Sequence, residues 1–232
     1  YEPPMVATQL LVNGHPRLVS SLAGGLSLDP DERSFSVEFA ALDSSRPDRS
    51  RYAYRLEGFD PEWVQAGNLG AIRYAVGQCS LGALLVARCA AGLCAISLGD
   101  DAGALAAGLL AAHPQARPDT SGAALAQVAA FIDTPGSALA LAPRGTAFQQ
   151  RVWQALGQIA PGHTLSYTEL AERIGAPRAV RAVAGACAAN PLAVAIPCHR
   201  VLRRDGTLAG YRWGEARKRH LLDREAQLGH TP

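Results

Sequence analysis

Ser166-Tyr-Thr-Glu-Leu-Ala-Glu-Arg-Ile174, the pair Gly175-Ala176, and then Pro177 through Asn190-Pro191 form the stretch from which the fold is read. Ser166 and Glu169 stand at the spacing where each side chain satisfies a free backbone donor of the first turn, which predicts a short helix running through Ile174. Gly175-Ala176 supplies a tight turn. Pro177 suits the first position of a second helix, where its missing N–H is not needed. Val180, Val183, Ala184 and Cys187 then recur at helical spacing as one apolar stripe, and Asn190-Pro191 ends it. Helix, glycine turn, helix is the grammar of a helix-turn-helix. Arg178, Arg181 and Ala188 fall on the other faces of the second helix, and arginine among small alanines allows close approach to a nucleic-acid groove.

Upstream, Thr146 is placed to cap a helix carrying Phe148, Val152, Ala155, Leu156 and Ile159 at helical spacing, which Pro161-Gly162 stops. Further back, residues 72–76, 83–87 and 93–98 are short β-rich runs with a turn at Ala90-Ala-Gly92, as in an antiparallel hairpin or meander. Helices are expected over 102–112 and 123–132. The fold class is therefore α+β. In the first third, residues 34–39 and 52–56 alternate apolar and polar side chains at period two, separated by a loop rich in Ser, Arg, Pro and Asp.

The chain has 232 residues, 48% of them hydrophobic, which fits one complete domain plus a smaller unit. It begins at Tyr1 rather than Met, read as a fragment or processed product. No apolar run approaches the roughly 18 residues needed to cross a bilayer and no basic-then-apolar leader is present, so a soluble, cytoplasmic protein without a membrane partner is expected. Five cysteines form an odd set with no CxxC pair, and neither a disulfide framework nor a metal site is expected. Cys79, Cys89 and Cys94 read as small packing residues. The net charge of +2 is unevenly spread: 6 basic and 10 acidic residues over 1–67, 4 and 4 over 68–150, and 12 and 6 over 151–232. The basic last third points to an anionic partner, nucleic acid being the commonest.

After the hairpin stands Ala195-Ile-Pro-Cys-His-Arg-Val-Leu202. A cysteine nucleophile acts as its thiolate, and a neighbouring histidine with local positive charge lowers a thiol pKa. Cys198, His199 and Arg200 bring those groups together, and Pro197 restricts the backbone that presents the cysteine. Adjacent side chains often point apart, so His199 either bonds Cys198 directly or acts through a bridging water.

Ile-Pro-Cys-His-Arg-Val, with Asn190-Pro191 before it and Leu208-Ala-Gly-Tyr-Arg-Trp-Gly214 after it, resembles the methylated-DNA–protein-cysteine methyltransferase family, in particular the C-terminal half of its bacterial adaptive-response member. The resemblance runs from about Ile72 to about Gln227. It implies a ribonuclease H-like α+β domain over 68–144 and a winged-helix-like alkyl-acceptor domain over 145–232. It also implies direct-reversal repair of double-stranded DNA: one irreversible transfer of the O6-alkyl group of guanine, and the O4-methyl group of thymine, to Cys198, by a monomer needing no cofactor.

The same resemblance implies roles for individual residues. His199 takes the thiol proton and Glu225 holds His199; Asn190 braces the turn into the reactive motif. Tyr167 helps rotate the nucleotide and donates a proton toward the leaving guanine, and Arg181 fills the gap left by the flipped base. Arg178 and Ala188 belong to the DNA-facing surface. Pro197, Tyr211, Arg212 and Trp213 form the substrate pocket, with Trp213 closing it tightly enough to favour methyl over bulky groups. The adaptive-response member also has an N-terminal cysteine-rich zinc domain; the first third here contains no cysteine, so that activity, its metal and its regulatory role are not carried over.

Arg51-Tyr-Ala-Tyr-Arg-Leu-Glu-Gly-Phe-Asp-Pro-Glu-Trp63 resembles the immunoglobulin-like module that follows the β-propeller in hybrid two-component sensors. It implies a partial β-sandwich over 1–67 that lacks its last strands, which reads as a gene fusion, a chimera or a misjoined reading frame and is given no function of its own. Two rival readings of the whole chain are a helix-turn-helix regulator that binds DNA without alkyl transfer, and a cysteine hydrolase using Cys198 and His199, which would need an oxyanion hole.

Overall fold

The structure, a computed structural model, describes residues 5–12, 15–18, 35–41, 52–54, 64–66, 71–134 and 138–228. The chain divides into two compact units, Tyr1–Tyr52 and Ala53–Pro232. In the first, β1 (Met5–Val12) pairs antiparallel with β2 (His15–Arg17) on one side and β3 (Phe35–Ala41) on the other. The strand expected at 34–39 is β3; β1 and β2 were not anticipated. A further pair, β4 (Tyr52–Tyr54) and β5 (Val64–Ala66), forms a two-stranded sheet. Arg51 and residues 55–63, which carry the immunoglobulin-like resemblance, lie outside the described residues, as do 67–70.

After β5 the second unit continues with an antiparallel meander, β6 (Arg73–Cys79), β7 (Gly82–Cys89) and β8 (Gly92–Gly99), and a short parallel β9 (Arg117–Pro118) completes the order β8-β7-β6-β9. Alternation along β7 sends Leu84 and Val86 to one face and Leu85 and Ala87 to the other. The first face packs on Val128 and Ile132 of α2 (Ala123–Asp133). The second packs on Leu105, Leu109 and Leu110 of α1 (Ala102–Ala112), whose first turn Asp101 caps by accepting from the Ala104 N–H. With helices on both faces, β7 is apolar almost throughout.

The outer edge of β8 is covered by two later segments. Leu93 N–H donates to Ala140 O at 2.8 Å and Ala142 N–H to Leu93 O at 2.8 Å. Gly92 permits this approach: its φ is +134° and a Cβ there would stand 2.5 Å from the Ala140 oxygen. Further along, Ile96 N–H donates to Pro191 O at 2.9 Å and Ala193 N–H to Ile96 O at 3.0 Å. The residues just before the reactive motif are thereby hydrogen-bonded to the sheet.

The remaining helices are α3 (Ala147–Gly157), α4 (Tyr167–Arg173), α5 (Val180–Ala188) and α6 (Glu215–Leu228). Thr146 and Gln149 form a reciprocal cap on α3, and Ser166 and Glu169 do so on α4. A parallel pair, β10 (Leu165–Ser166) with β11 (Val201–Leu202), sets the start of α4 beside the end of the reactive motif. The expectation that Pro177 opens the second helix of the pair is corrected. Residues 176–179 form a turn closed by Ala179 N–H to Ala176 O at 2.9 Å, and the α5 ladder starts with Val183 N–H to Ala179 O at 2.9 Å. Gly175, at φ +70°, ends α4 in the left-handed region, and Pro177 is used inside the turn.

Val183, Ala186 and Cys187 of α5 are buried, and the Trp153 indole on α3 donates to Ala186 O at 2.8 Å. One continuous core joins the sheet, α2 and the later helices through Leu84, Ile96, Leu156, Leu170, Val183, Leu192 and Leu221. Residues 68–144 and 145–232, expected as separate domains, share it. Among the described residues no helix is long and apolar enough to cross a membrane.

Candidate active site

Cys198 begins a single 3-10 turn, Cys198–Arg200, in which the Arg200 N–H donates to Pro197 O at 3.1 Å. Its side chain is buried, and Sγ accepts a hydrogen bond from Asn190 Nδ2 at 3.1 Å. The same amide nitrogen donates to Ile196 O at 2.8 Å, and Oδ1 accepts from the Leu192 N–H at 2.9 Å. Asn190 therefore fixes both ends of the loop between α5 and the cysteine, as well as the thiol. Inside that loop Val194 has φ +64°, the single non-glycine residue with positive φ among the described residues, and Ala195 N–H donates back to Ala193 O at 2.6 Å across it. A β-branched residue in this region is strained.

His199 is 0% exposed, with Nε2 3.0 Å from Glu225 Oε1. Arg200 grips the same carboxylate with two bonds, Nε to Oε2 and Nη2 to Oε1, each 2.8 Å, and also donates through Nη1 to Ile159 O. Burial alone would raise the Glu225 pKa, but the hydrogen bonds and positive charge of His199 and Arg200 overcome it and hold the carboxyl at about 2. A carboxylate facing Nε2 places the ring hydrogen there, leaving Nδ1 as the basic nitrogen. Burial lowers the His199 pKa, so the ring is neutral near pH 7. Burial pushes the Cys198 thiol up, against the lowering effects of Asn190, Lys218 and Arg212. The resting pair is thus thiol and neutral imidazole, not thiolate and imidazolium.

Cys198 opens into a cavity of about 520 Å³. Tyr167 of α4 forms one wall, Ala184, Cys187 and Ala188 of α5 a second, and Gly210, Tyr211 and Arg212 a third. Burial pushes Tyr167 to about 12 and Tyr211 well above its ordinary value, so both phenols keep their protons. Arg181 on α5 and Arg178 just before it are exposed and do not line the cavity. Pro197 is buried beneath the turn and is also not part of the lining. The expectation that Trp213 closes the pocket is corrected: it stands behind Tyr211, edge-on at 5.1 Å between ring centres, and lines a separate concavity with residues of β8 and α1. The turn closed by Gly214 N–H to Tyr211 O directs the indole away from Cys198, where it meets the apolar residues Leu98, Leu105 and Leu109.

Two contributors were missed in the sequence. Arg200 was read as local positive charge only, and nothing nearby in sequence announces a carboxylate 25 residues on as its partner. Lys218, 1% exposed, donates from Nζ to Val201 O at 2.6 Å and Ala209 O at 3.4 Å, tying the strand after Cys198 to the segment that leads into Tyr211. Its signal was present: Lys218, Leu221 and Glu225 recur at helical spacing on one face of α6, and all three are buried. Among the described residues no group of three or more His, Cys, Asp or Glu side chains is gathered as for a metal ion.

Residues 147–227 match the family described as "6-O-methylguanine DNA methyltransferase, DNA binding domain". The "Bifunctional transcriptional activator/DNA repair enzyme Ada" of Escherichia coli (strain K12) is 49% identical over 206 residues, which are 83% of this chain and 57% of that protein. The "Methylated-DNA–protein-cysteine methyltransferase" of Haemophilus influenzae is 53% identical over 89 residues, 38% of this chain and 50% of that protein. The chain thus spans about half the length of these curated relatives. Among solved structures, Mycobacterium tuberculosis OGT in complex with DNA is 37% identical, with a TM-score of 0.57, covering 67% of this chain and 93% of that one. With Pro197, Cys198, His199 and Arg200 set into the hydrogen-bonded cradle described above, this chain belongs to the methylated-DNA–protein-cysteine methyltransferase family.

Proposed function

We propose that this protein repairs double-stranded DNA by direct reversal, taking the O6-alkyl group of guanine, or the O4-methyl group of thymine, onto Cys198 once and irreversibly. The observation that carries this reading is a buried, Asn190-held thiol that opens into a cavity walled in part by α4 and α5 and is followed in sequence by a carboxylate-backed neutral histidine. Attack by sulfur on the alkyl carbon breaks its bond to O6. The thiol proton passes to His199 Nδ1, Glu225 stabilises the resulting imidazolium, and Tyr167 supplies a proton on the side of the leaving guanine. The target base must leave the stack to reach a buried thiol, at a cost of roughly a few kcal/mol, which Arg181 offsets by entering the gap from α5. Arg178 and Ala188 face the duplex, and the exposed small residues of α5 suit a minor-groove approach. The product is a thioether, and the Cys187 thiol on the cavity wall, pushed up to about 12 by burial, stays protonated and does not remove it.

This reading includes a monomer acting in the cytoplasm, with a ribonuclease H-like part over 68–144, a winged-helix-like part over 145–232 and a partial immunoglobulin-like module over 1–67. The decisive experiment is intact-protein mass after mixing with a duplex containing one O6-methylguanine, with Cys198→Ala in parallel. One methyl adduct per parent chain and none on the variant is expected. No adduct on folded parent protein would overturn the reading in favour of a DNA-binding regulator.

A further inference from the structure

Two buried polar atoms have no hydrogen-bond partner among the described residues: Nδ1 of His199, the residue after the reactive cysteine, and the hydroxyl of Tyr211, on the wall of its cavity. They are of complementary kind. Nδ1 is an acceptor, because Nε2 is committed to the Glu225 carboxylate at 3.0 Å. The Tyr211 hydroxyl is a donor, because burial and the neighbouring Cys198 keep it protonated. Tyr211 and Cys198 line the same cavity, and the Tyr211 ring is fixed from behind by its edge-on contact with Trp213 at 5.1 Å. Asn190 already occupies one side of the sulfur at 3.1 Å, so the thiol proton is free to point elsewhere. A buried polar group is ordinarily paired with protein or with water, and a water needs two to four polar partners to be held.

We propose that Tyr211 is a positioning residue whose hydroxyl anchors the water that carries the Cys198 proton to His199 Nδ1. The inference rests on the alkyl-transfer reading above and extends it to a group that reading leaves idle. As the sulfur–carbon bond forms and the carbon–O6 bond breaks, the water takes the thiol proton and gives one of its own to Nδ1. The Tyr211 O–H donates to the water oxygen throughout and does not change its protonation state. The other titratable or charged groups facing this position are Glu225 and Arg217 on α6, which act on the phenol, and Lys218 and Arg212, which act on the thiol. Tyr167 and Cys187 complete the walls.

Tyr211→Phe keeps the ring and its contact with Trp213 and removes only the hydroxyl. Single-turnover adduct formation at saturating O6-methylguanine duplex should be about ten-fold slower or more at neutral pH in this variant. The deficit should shrink toward alkaline pH, where hydroxide takes the thiol proton without the relay. The DNA-free reaction of Cys198 with methyl methanethiosulfonate should show the same pH-dependent loss, and it reads the relay even if methyl transfer from DNA fails. A variant as fast as the parent at every pH, or slower by one constant factor across the range, overturns the proposal. A parent that forms no methyl adduct but whose thiol reactivity still depends on Tyr211 overturns the alkyl-transfer reading alone.

Discussion

Arg200 and Glu225 meet through two parallel hydrogen bonds of 2.8 Å, which makes the residue after the histidine, as much as the histidine, the partner of the carboxylate. The planar fork of arginine matches both carboxylate oxygens at once, and a lysine cannot. Arg200→Ala leaves Glu225 buried with only His199 and a long bond from the Gly162 N–H at 3.4 Å, and should destabilise the fold by about 3 kcal/mol. Arg200→Lys should recover part of that loss and little of the transfer rate. Urea denaturation and adduct kinetics on the two variants measure these separately.

Acid should weaken the fold through the same cluster. Glu225 is held at about 2, below its ordinary 4.5, so its contribution is complete above pH 4.5 and is lost as pH falls toward 2. His199 acts with the same sign at higher pH: its pKa is lowered from 6.5, so stability declines as pH falls below that value and the unfolded chain takes up the proton more readily. In His199→Gln the decline below pH 6.5 should be shallower than in the parent, and in Glu225→Gln the steep limb below 4.5 should flatten, both read from melting temperature against pH.

How much of this could be read beforehand depends on the reach of each interaction. The caps at Ser166 and Glu169 and the halt at Asn190-Pro191 are local in sequence, and the structure has them. Pro177 misled because a proline suits a tight turn as well as a helix start, and only the hydrogen bond from Ala179 to Ala176 distinguishes the two. Arg200 and Lys218 act through partners brought near by folding, and a basic side chain alone does not say whether it meets solvent or a buried carbonyl. Trp213 was placed in the right segment and on the wrong side of it. Residues 211–214 form a turn closed by the Gly214 N–H to Tyr211 O bond at 2.9 Å, from which Tyr211 and Trp213 leave toward different concavities, and residue type alone does not state that direction.

Lys218→Met keeps the apolar stem and removes the donor. The oxygens of Val201 and Ala209 are then buried without this partner, at roughly 2 kcal/mol. Because Lys218 lowers the Cys198 thiol pKa, the variant should transfer more slowly near pH 7 and regain rate at alkaline pH.

Val194 offers a test of backbone strain. Alanine and glycine both remove its buried side chain, but only glycine is at ease at φ +64°. Val194→Gly should therefore be the more stable of the two by about 1 kcal/mol, the reverse of the usual order.

Arg181 is exposed on α5, so Arg181→Ala should leave the melting temperature unchanged. Its affinity for duplex should fall and adduct formation slow at low DNA concentration. A preserved salt dependence of binding would identify the side chain as a stacking group, and a slope reduced by about one would identify a phosphate contact.

Hydrogen bonds between Ile96 and residues 191 and 193 give the loop before Cys198 the character of a sheet strand. Reactive loops are commonly among the first parts of a protein to open, with amides that exchange in seconds. Here the Ala193 and Ile196 amides should exchange with solvent deuterium as slowly as those of β8. The acceptor then has no private route to disorder, and a chain that has lost its reactive geometry has lost its sheet as well.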